Sequence, residues 1–342
     1  MNIRKFNHFT NDVIVIDGLW GCGKSLLFPI IFGMNDVEKA KINYNYEWLC
    51  QMVYLGKLDS NAAKGLLQIY ADVDQYHNLI GREVNIRRTD ETGFNNNPGS
   101  FRYIKRILSS TEGDKIADKI NQNNLALHLM SHMILLVLDP LFEAFTNRLK
   151  LIEIVRHPVY SFNNWNIFFS RFNGPRVATL SFEYNDHKIP WFAHSWMDKY
   201  ITLNNSDKTI NSMLKMYKWS FEKIDEINSS DINLMVLSFE DIAFNTDKIL
   251  QKLSSFLNRG YSKRIEKIKK KQLLPRKTLG AGRGNKLYGF VSKNHISDDE
   301  LYSDLYKNIQ SQVSKKYMAE FDLLIHEYNQ RFPSKIALYN DN

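Results

Sequence analysis

Gly18-Leu19-Trp20-Gly21-Cys22-Gly23-Lys24-Ser25 is a complete G-x-x-x-x-G-K-[ST] pattern. Its glycines let backbone N–H groups turn inward around phosphate oxygens, Lys24 adds a point charge, and the Ser25 hydroxyl can bond a phosphate or a Mg²⁺. A helix opening near Lys24 aims its positive end at the same anion. The flanks supply the context the pattern needs. Residues 13–16 (VIVI) read as a strand buried on both faces, and Leu26, Leu27, Phe28, Ile30 and Ile31 as the start of a helix with Pro29 in its first turns. Together they predict a phosphate-binding P-loop between Asp17 and Ser25; a glycine-rich turn without a ligand is the alternative. Cys22 reads as a spacer, although a helix N-terminus can also activate a thiolate.

Arg156 follows residues 151–155, which read as a third buried strand. At the mouth of a parallel strand its guanidinium can take a phosphate in two parallel hydrogen bonds. The spacing is equally compatible with an arginine that caps the strand end through an ion pair. Ser161 and Asn164, three apart on the helical stretch that follows, share a face and can add neutral hydrogen bonds to the same anion. Glu240 and Asp241 directly follow a short apolar strand at 234–237; the reading favours loop-holding and helix-capping roles over catalytic ones. The lysine-rich run 263–271 reads as a solvated helix face, without the interleaved aromatics that single-stranded nucleic acid calls for. No nucleic-acid partner is expected.

These residues need a scaffold. Short buried strands at 13–16, 125–130, 151–155 and 234–237 alternate with helical stretches at 45–80, 210–227 and 246–257. That alternation predicts an α/β fold in three layers, a central parallel sheet of about four to five strands flanked by helices, with ligands at the carboxyl ends of the strands. Residues 176–192 alternate around Asn185-Asp186 and predict a β-hairpin inserted beside the sheet. Residues 83–100 read as a long surface loop, and 298–332 as mostly helical and packed on the outside. The expected organisation is a single domain over 1–342, with insertions at about 83–100 and 172–205 and a helical extension at about 295–335.

The bulk numbers agree with a folded chain. Of 342 residues, 44% are hydrophobic and 13% aromatic, which excludes a disordered protein. The net charge of +8 suits an anionic ligand without choosing one. Two cysteines make neither a disulfide framework nor a metal site, and a reducing cytoplasm is the natural compartment. No His, Cys and carboxylate cluster has ligand spacing, so no metal is expected. Residues 1–11 are polar with no signal-peptide core, and the longest apolar run, 133–138, is far too short to cross a bilayer. Membrane insertion is not expected.

Three of these segments, in this order, resemble the sulfotransferases that use 3′-phosphoadenosine 5′-phosphosulfate (PAPS). The strand, P-loop and helix resemble that family's 5′-phosphosulfate loop. IVRHPVYSFNNW is similar to its 3′-phosphate motif, and VLSFEDIAFNTDKILQKLSSFL to its strand, Glu-Asp loop and helix. The three span about residues 10–260. A fourth likeness is Arg276-Lys277 ahead of Gly280-Ala281-Gly282-Arg283-Gly284, similar to the family's late basic loop over the 3′-phosphate. The resemblance implies that Gly21, Cys22, Gly23, Lys24, Ser25 and Leu26 hold the 5′-phosphosulfate. It also implies that Arg156, Ser161, Asn164, Arg276 and Lys277 hold the 3′-phosphate.

Two departures stand out. Gly21 lies near the place where the family often carries Lys or Arg, so Lys24 must supply the catalytic cation. Asn164 stands where a hydroxyl residue is usual, with Ser161 as a substitute donor. The implied reaction is in-line transfer of a sulfonate to a hydroxyl or amine, without a metal, leaving 3′,5′-adenosine bisphosphate (PAP). The family's base is often a His after the strand preceding the Arg motif. His132 is the better placed of two, His128 falling within the apolar alternation as a core residue; Asp90 or Glu91 in the long loop are carboxylate alternatives. The acceptor is a small molecule or glycan, with a carbohydrate as the compositional guess from Phe94, Trp191 and Phe192 beside charged residues. The complete GKS pattern also fits an ATP- or GTP-dependent kinase using Mg²⁺. That kinase would need an acidic residue such as Asp139, which instead precedes Pro140 and reads as a helix start. A third reading is a nucleotide-binding protein without turnover.

Overall fold

The computed structural model describes residues 3–87, 93, 101–175, 177–230, 232–282, 292–293 and 296–333. Asp90, Glu91, Phe94, Arg283 and Gly284 lie outside the described residues. Strands run β1 (Val13–Asp17), β2 (Leu127–Met130), β3 (Leu149–Val155), β4 (Ser181–Tyr184), β5 (His187–Pro190) and β6 (Leu234–Ser238). The helices in chain order are α1 (Lys24–Phe32), α2 (Asn45–Tyr54), α3 (Ser60–Ile80), α4 (Phe101–Ile107), α5 (Asp114–Gln122), α6 (Asp139–Phe145) and α7 (Pro158–Arg171). They continue as α8 (Met197–Thr202), α9 (Asn205–Asn228), α10 (Phe239–Phe244), α11 (Thr246–Leu257), α12 (Arg264–Gln272), α13 (Asp298–Gln312) and α14 (Lys315–Arg331).

The fold is α/β. β2, β1, β3 and β6 form one parallel sheet in that order, so the strand count falls at the lower end of the expectation. β1 lies inside the sheet, and its apolar run divides between two cores. Val13 and Val15 join Leu151 on the face covered by α7 and α9, with Phe162, Trp165 and Tyr217 packed there. Ile14 and Ile16 join Ile152 and Ile154 on the opposite face, against Leu27 and Ile30 of α1 and Leu250 and Leu253 of α11. A parallel sheet with helices on both faces demands such continuous apolar strands.

Several boundaries differ from the sequence expectation. The helical stretch 45–80 is two helices, because Gly56 adopts a left-handed φ of 66° between them. Pro29 lies in the second turn of α1, which ends three residues later at Phe32. The hairpin exists, but as a two-stranded sheet of its own, β4 with β5. Asn185 and Asp186 make its turn with φ of 48° and 61°, the conformation a two-residue hairpin loop needs. The C-terminal helices are not simply external. α13 packs on α7 and α14 on α9, and Tyr317, Phe321 and Tyr328 enter the core. No described helix is long and apolar enough to cross a membrane.

Candidate functional site

The 18–25 loop leaves the carboxyl end of β1 and turns directly into α1. Gly21 and Gly23 have φ of 78° and 104°, a region L side chains avoid. Each is also hemmed in. A Cβ on Gly21 would fall 2.3 Å from Asn164 Nδ2, and one on Gly23 would fall 2.3 Å from the Phe239 ring. The loop is thus pressed against α7 on one side and α10 on the other. Lys24 is buried, and its ammonium donates to the carbonyls of Gly18 at 2.6 Å and Leu19 at 3.0 Å. Ser25 is exposed in the first turn of α1, while Leu26 is in the core. Cys22 is buried, and burial pushes its thiol pKa up, which fits the spacer reading over a reactive thiolate.

Arg156 stands at the end of β3, and its Nη1 donates to Gly21 O at 2.8 Å. Its guanidinium lies 4.2 Å from the centroid of the Phe239 ring, and that of Arg276 lies 5.5 Å from the same centroid. The Nε atoms of both arginines are buried, with no hydrogen-bond partner among the described residues. Burial lowers the pKa of Arg156, with the Glu240 charge opposing it. Burial, then the charge of Arg156, brings Arg276 down to about 10. Two buried cations on one ring, one of them depressed by the other, favour an anion beside them. Gly282 packs on the Arg276 guanidinium, where a Cβ would come within 2.8 Å of Nη1. Lys277, next along the chain, is exposed.

The structure separates two residues that helix spacing had joined. Asn164 borders the loop at Gly21, whereas Ser161 is buried behind the strand end with its Oγ 3.3 Å from Tyr217 Oη. The same Tyr217 hydroxyl donates to Arg156 O at 2.7 Å, so Ser161 belongs to the support of Arg156. Glu240 is structural, as its position implied. It accepts from the His157 amide at 3.2 Å and from Tyr328 Oη at 2.7 Å, tying α14 to the Arg156 turn. The cap of α10 is Ser238, whose hydroxyl takes the Asp241 amide; Asp241 itself accepts from Asn245 Nδ2.

β2 delivers His132 to the other side of the loop. Ser131 N donates to Ile16 O at 2.9 Å and Met133 N to Gly18 O at 3.4 Å, so the turn after β2 is stitched to the end of β1. Glu47 Oε1 accepts the His132 amide at 3.0 Å and lies 3.1 Å from its Nδ1. A carboxylate on Nδ1 fixes that nitrogen as the protonated one and leaves Nε2 as the acceptor. The Tyr44 ring stacks beside His132 at 6.2 Å. His128 is a core residue: Nδ1 reaches Glu38 O at 3.2 Å and burial drives its pKa down to about 4. Asp139 opens α6 on the surface. Among the described residues no three His, Cys, Asp or Glu side chains could hold a metal ion.

Glu47, Phe239, Tyr217 and Tyr328 are the contributors that sequence reasoning did not single out. Glu47 carried a signal: it falls on the same helix face as Cys50 and Gln51, where an acid is out of place. The others are buried aromatics like any in the core.

No protein-family model matches the chain, and no curated protein matches it by sequence. Solved structures do. The sulfotransferase domain of the curacin biosynthetic pathway aligns over 92% of this chain and 97% of its own, at 15% identity and a TM-score of 0.38. The sulfotransferase domain of the Synechococcus PCC 7002 olefin synthase aligns over 97% and 100%, at 13% identity and a TM-score of 0.42. Mouse sulfotransferase SULT7A1, solved with PAP, aligns over 97% and 89%, at 14% identity and a TM-score of 0.41. The chain is similar to sulfotransferases.

Proposed function

We propose that this protein is a sulfotransferase that moves a sulfonate group from PAPS to a hydroxyl or amine. The observation that carries the reading is the pairing of Arg156 and Arg276 on the Phe239 ring beside the 18–25 loop. A loop and helix N-terminus serve one phosphate group, and two guanidinia on one ring beside it serve a second. A nucleoside triphosphate has its phosphates in a single row, whereas PAPS carries them at both ends of its ribose. A further support is that Arg156 spends a donor on the Gly21 carbonyl, one an anion would take over.

PAPS would supply the activated sulfonate, with its 5′ end on residues Gly21 to Leu26 and its 3′-phosphate on Arg156 and Arg276. Asn164 borders the loop and Lys277 stands at the rim, while Ser161 acts by holding Arg156 through Tyr217. Lys24 would exchange the carbonyls of Gly18 and Leu19 for the bridging oxygen and offset the charge that grows there. His132, oriented by Glu47, would take the acceptor proton on Nε2. The acceptor is a small molecule or glycan, with a carbohydrate as the leading class. The buried free thiols Cys22 and Cys50 suit a cytoplasmic setting.

Calorimetric titration with PAP, and separately with ATP plus Mg²⁺, tests the reading. The expected result is metal-independent PAP binding that Arg156→Ala weakens by about 10- to 100-fold, the loss of a charge-assisted pair of hydrogen bonds. Tight binding of ATP only with Mg²⁺ would overturn it in favour of a kinase.

A further inference from the structure

β3 carries an acid where a parallel strand has no use for one. Glu153 is 1% exposed and in register with Asp17, itself fully buried, on the neighbouring strand β1. The alternation that puts Val13, Val15, Leu151 and Val155 in one core puts both acids on that same face. Two carboxylates side by side out of water cannot both be charged, and a hydrogen bond links this pair. One of them therefore holds a proton. Asp17 is the member with donors to satisfy a charge: Oδ1 accepts from Ser131 Oγ at 2.9 Å and Oδ2 from the Leu135 amide at 2.8 Å. Among the described residues Glu153 has no such donors, and its Oε2 has no partner.

We infer that Glu153 is a positioning residue of the site: a neutral acid that donates to Asp17, so that the pair keeps one negative charge and uses it to hold the His132 turn and to balance Lys24. The turn is residues 131–135, whose two ends Asp17 bonds and whose middle includes Met133 at a left-handed φ of 61°. His132 lies within it. On the other side the charged groups facing Glu153 are Lys24 from α1 and Asp17 from β1, with the Cys22 thiol from the loop. Burial, and then the Asp17 charge, push the Glu153 pKa well up, with Lys24 opposing. A charged Glu153 would compete with Asp17 for Lys24 and repel Asp17 from the turn. A missing one would leave Asp17 under-satisfied on its β3 side. The pair thus joins the cation on one side of the loop to the candidate base on the other.

The inference rests on the sulfotransferase reading for the role of the turn, and its test does not. Infrared difference spectra of the full chain at neutral pH should show the carbonyl band of a protonated carboxylic acid, absent in Glu153→Gln. Amide exchange at Leu135 should be as slow in Glu153→Gln, which keeps a donor for Asp17, as in the parent. It should be roughly tenfold or more faster in Glu153→Leu, which fills the space without a donor. A spectrum with no acid band, or a Gln variant that exchanges like the Leu variant, would overturn the inference. Should both signatures appear while PAP fails to bind, the network stands and the donor assignment falls.

Discussion

Glu38 offers a stability test that can be worked from the geometry. It sits beside the edge strand β2, where its amide donates to Ala126 O and its carbonyl meets His128 Nδ1. Its carboxylate is fully buried and takes a two-pronged pair of bonds from Arg106, both 2.8 Å, and one from Tyr103 Oη at 2.9 Å. Burial raises the carboxyl pKa, but the Arg106 bonds and the charges of Arg102 and Arg106 outweigh it and pull the value down to about 2. With an unfolded value of 4.5, the depressed pKa contributes about 3 kcal/mol to folding at neutral pH. The sign is that of a depressed acid: the contribution is full above the unfolded value and drains as pH falls toward the folded one. At about pH 3.5 roughly 2 kcal/mol is left, so about 1 kcal/mol has gone. Glu38→Gln has no such proton to take up. Urea unfolding of both proteins, followed by tryptophan fluorescence, should show the variant less stable at pH 7 by about 3 kcal/mol, with the gap narrowing by about 1 kcal/mol at about pH 3.5. A gap that is the same at both pH values would refute the claim that Glu38 is charged and paired in the folded state.

Three further outcomes are expected. Gly23→Ala should cost about 1–2 kcal/mol for its left-handed backbone, and more for a Cβ 2.3 Å from Phe239. Its melting temperature should drop and PAP affinity should fall at least about tenfold as Phe239 and its two arginines shift; a variant as stable and as tight-binding as the parent would count against the packing. Glu47→Gln should lower transfer across an acceptor panel by roughly 10- to 100-fold at saturating donor while leaving the calorimetric Kd for PAP unchanged, because it releases His132 and not the anion site. Equal losses in both measurements would remove Glu47 from the base. Tyr328→Phe deprives buried Glu240 of its hydroxyl donor and should cost about 1–2 kcal/mol in denaturant unfolding, with no loss meaning that α14 is not anchored there.

What could be read from the chain was whatever depends on neighbours in sequence. Residues 13–25 name their own structure, since the strand, the glycines and the helix start are consecutive and each obeys a local rule. The Asn185-Asp186 turn and the 246–257 helix, observed as α11, were legible for the same reason. The split between α2 and α3 was marked by Gly56 but hidden by the periodicity that continues on either side of it.

Tertiary structure decided the partners. Ser161 and Asn164 looked interchangeable on one helix face, yet only the packing of α7 against the loop puts Asn164 at Gly21 and leaves Ser161 under Tyr217, 56 residues away in sequence. His132 could be named as a candidate from the resemblance together with its place after a strand. Its orienting carboxylate could not, because Glu47 arrives from 85 positions earlier. Arg156 and Arg276 were both visible as cations; that they share one aromatic ring depends on how α10 and the segment after α12 fold back on β3. The charge state of Glu153 belongs to the same class. The sequence alone determines that an acid stands in a strand; only the register of β3 on β1 puts it against Asp17, and that proximity out of water is what makes one of the two keep its proton.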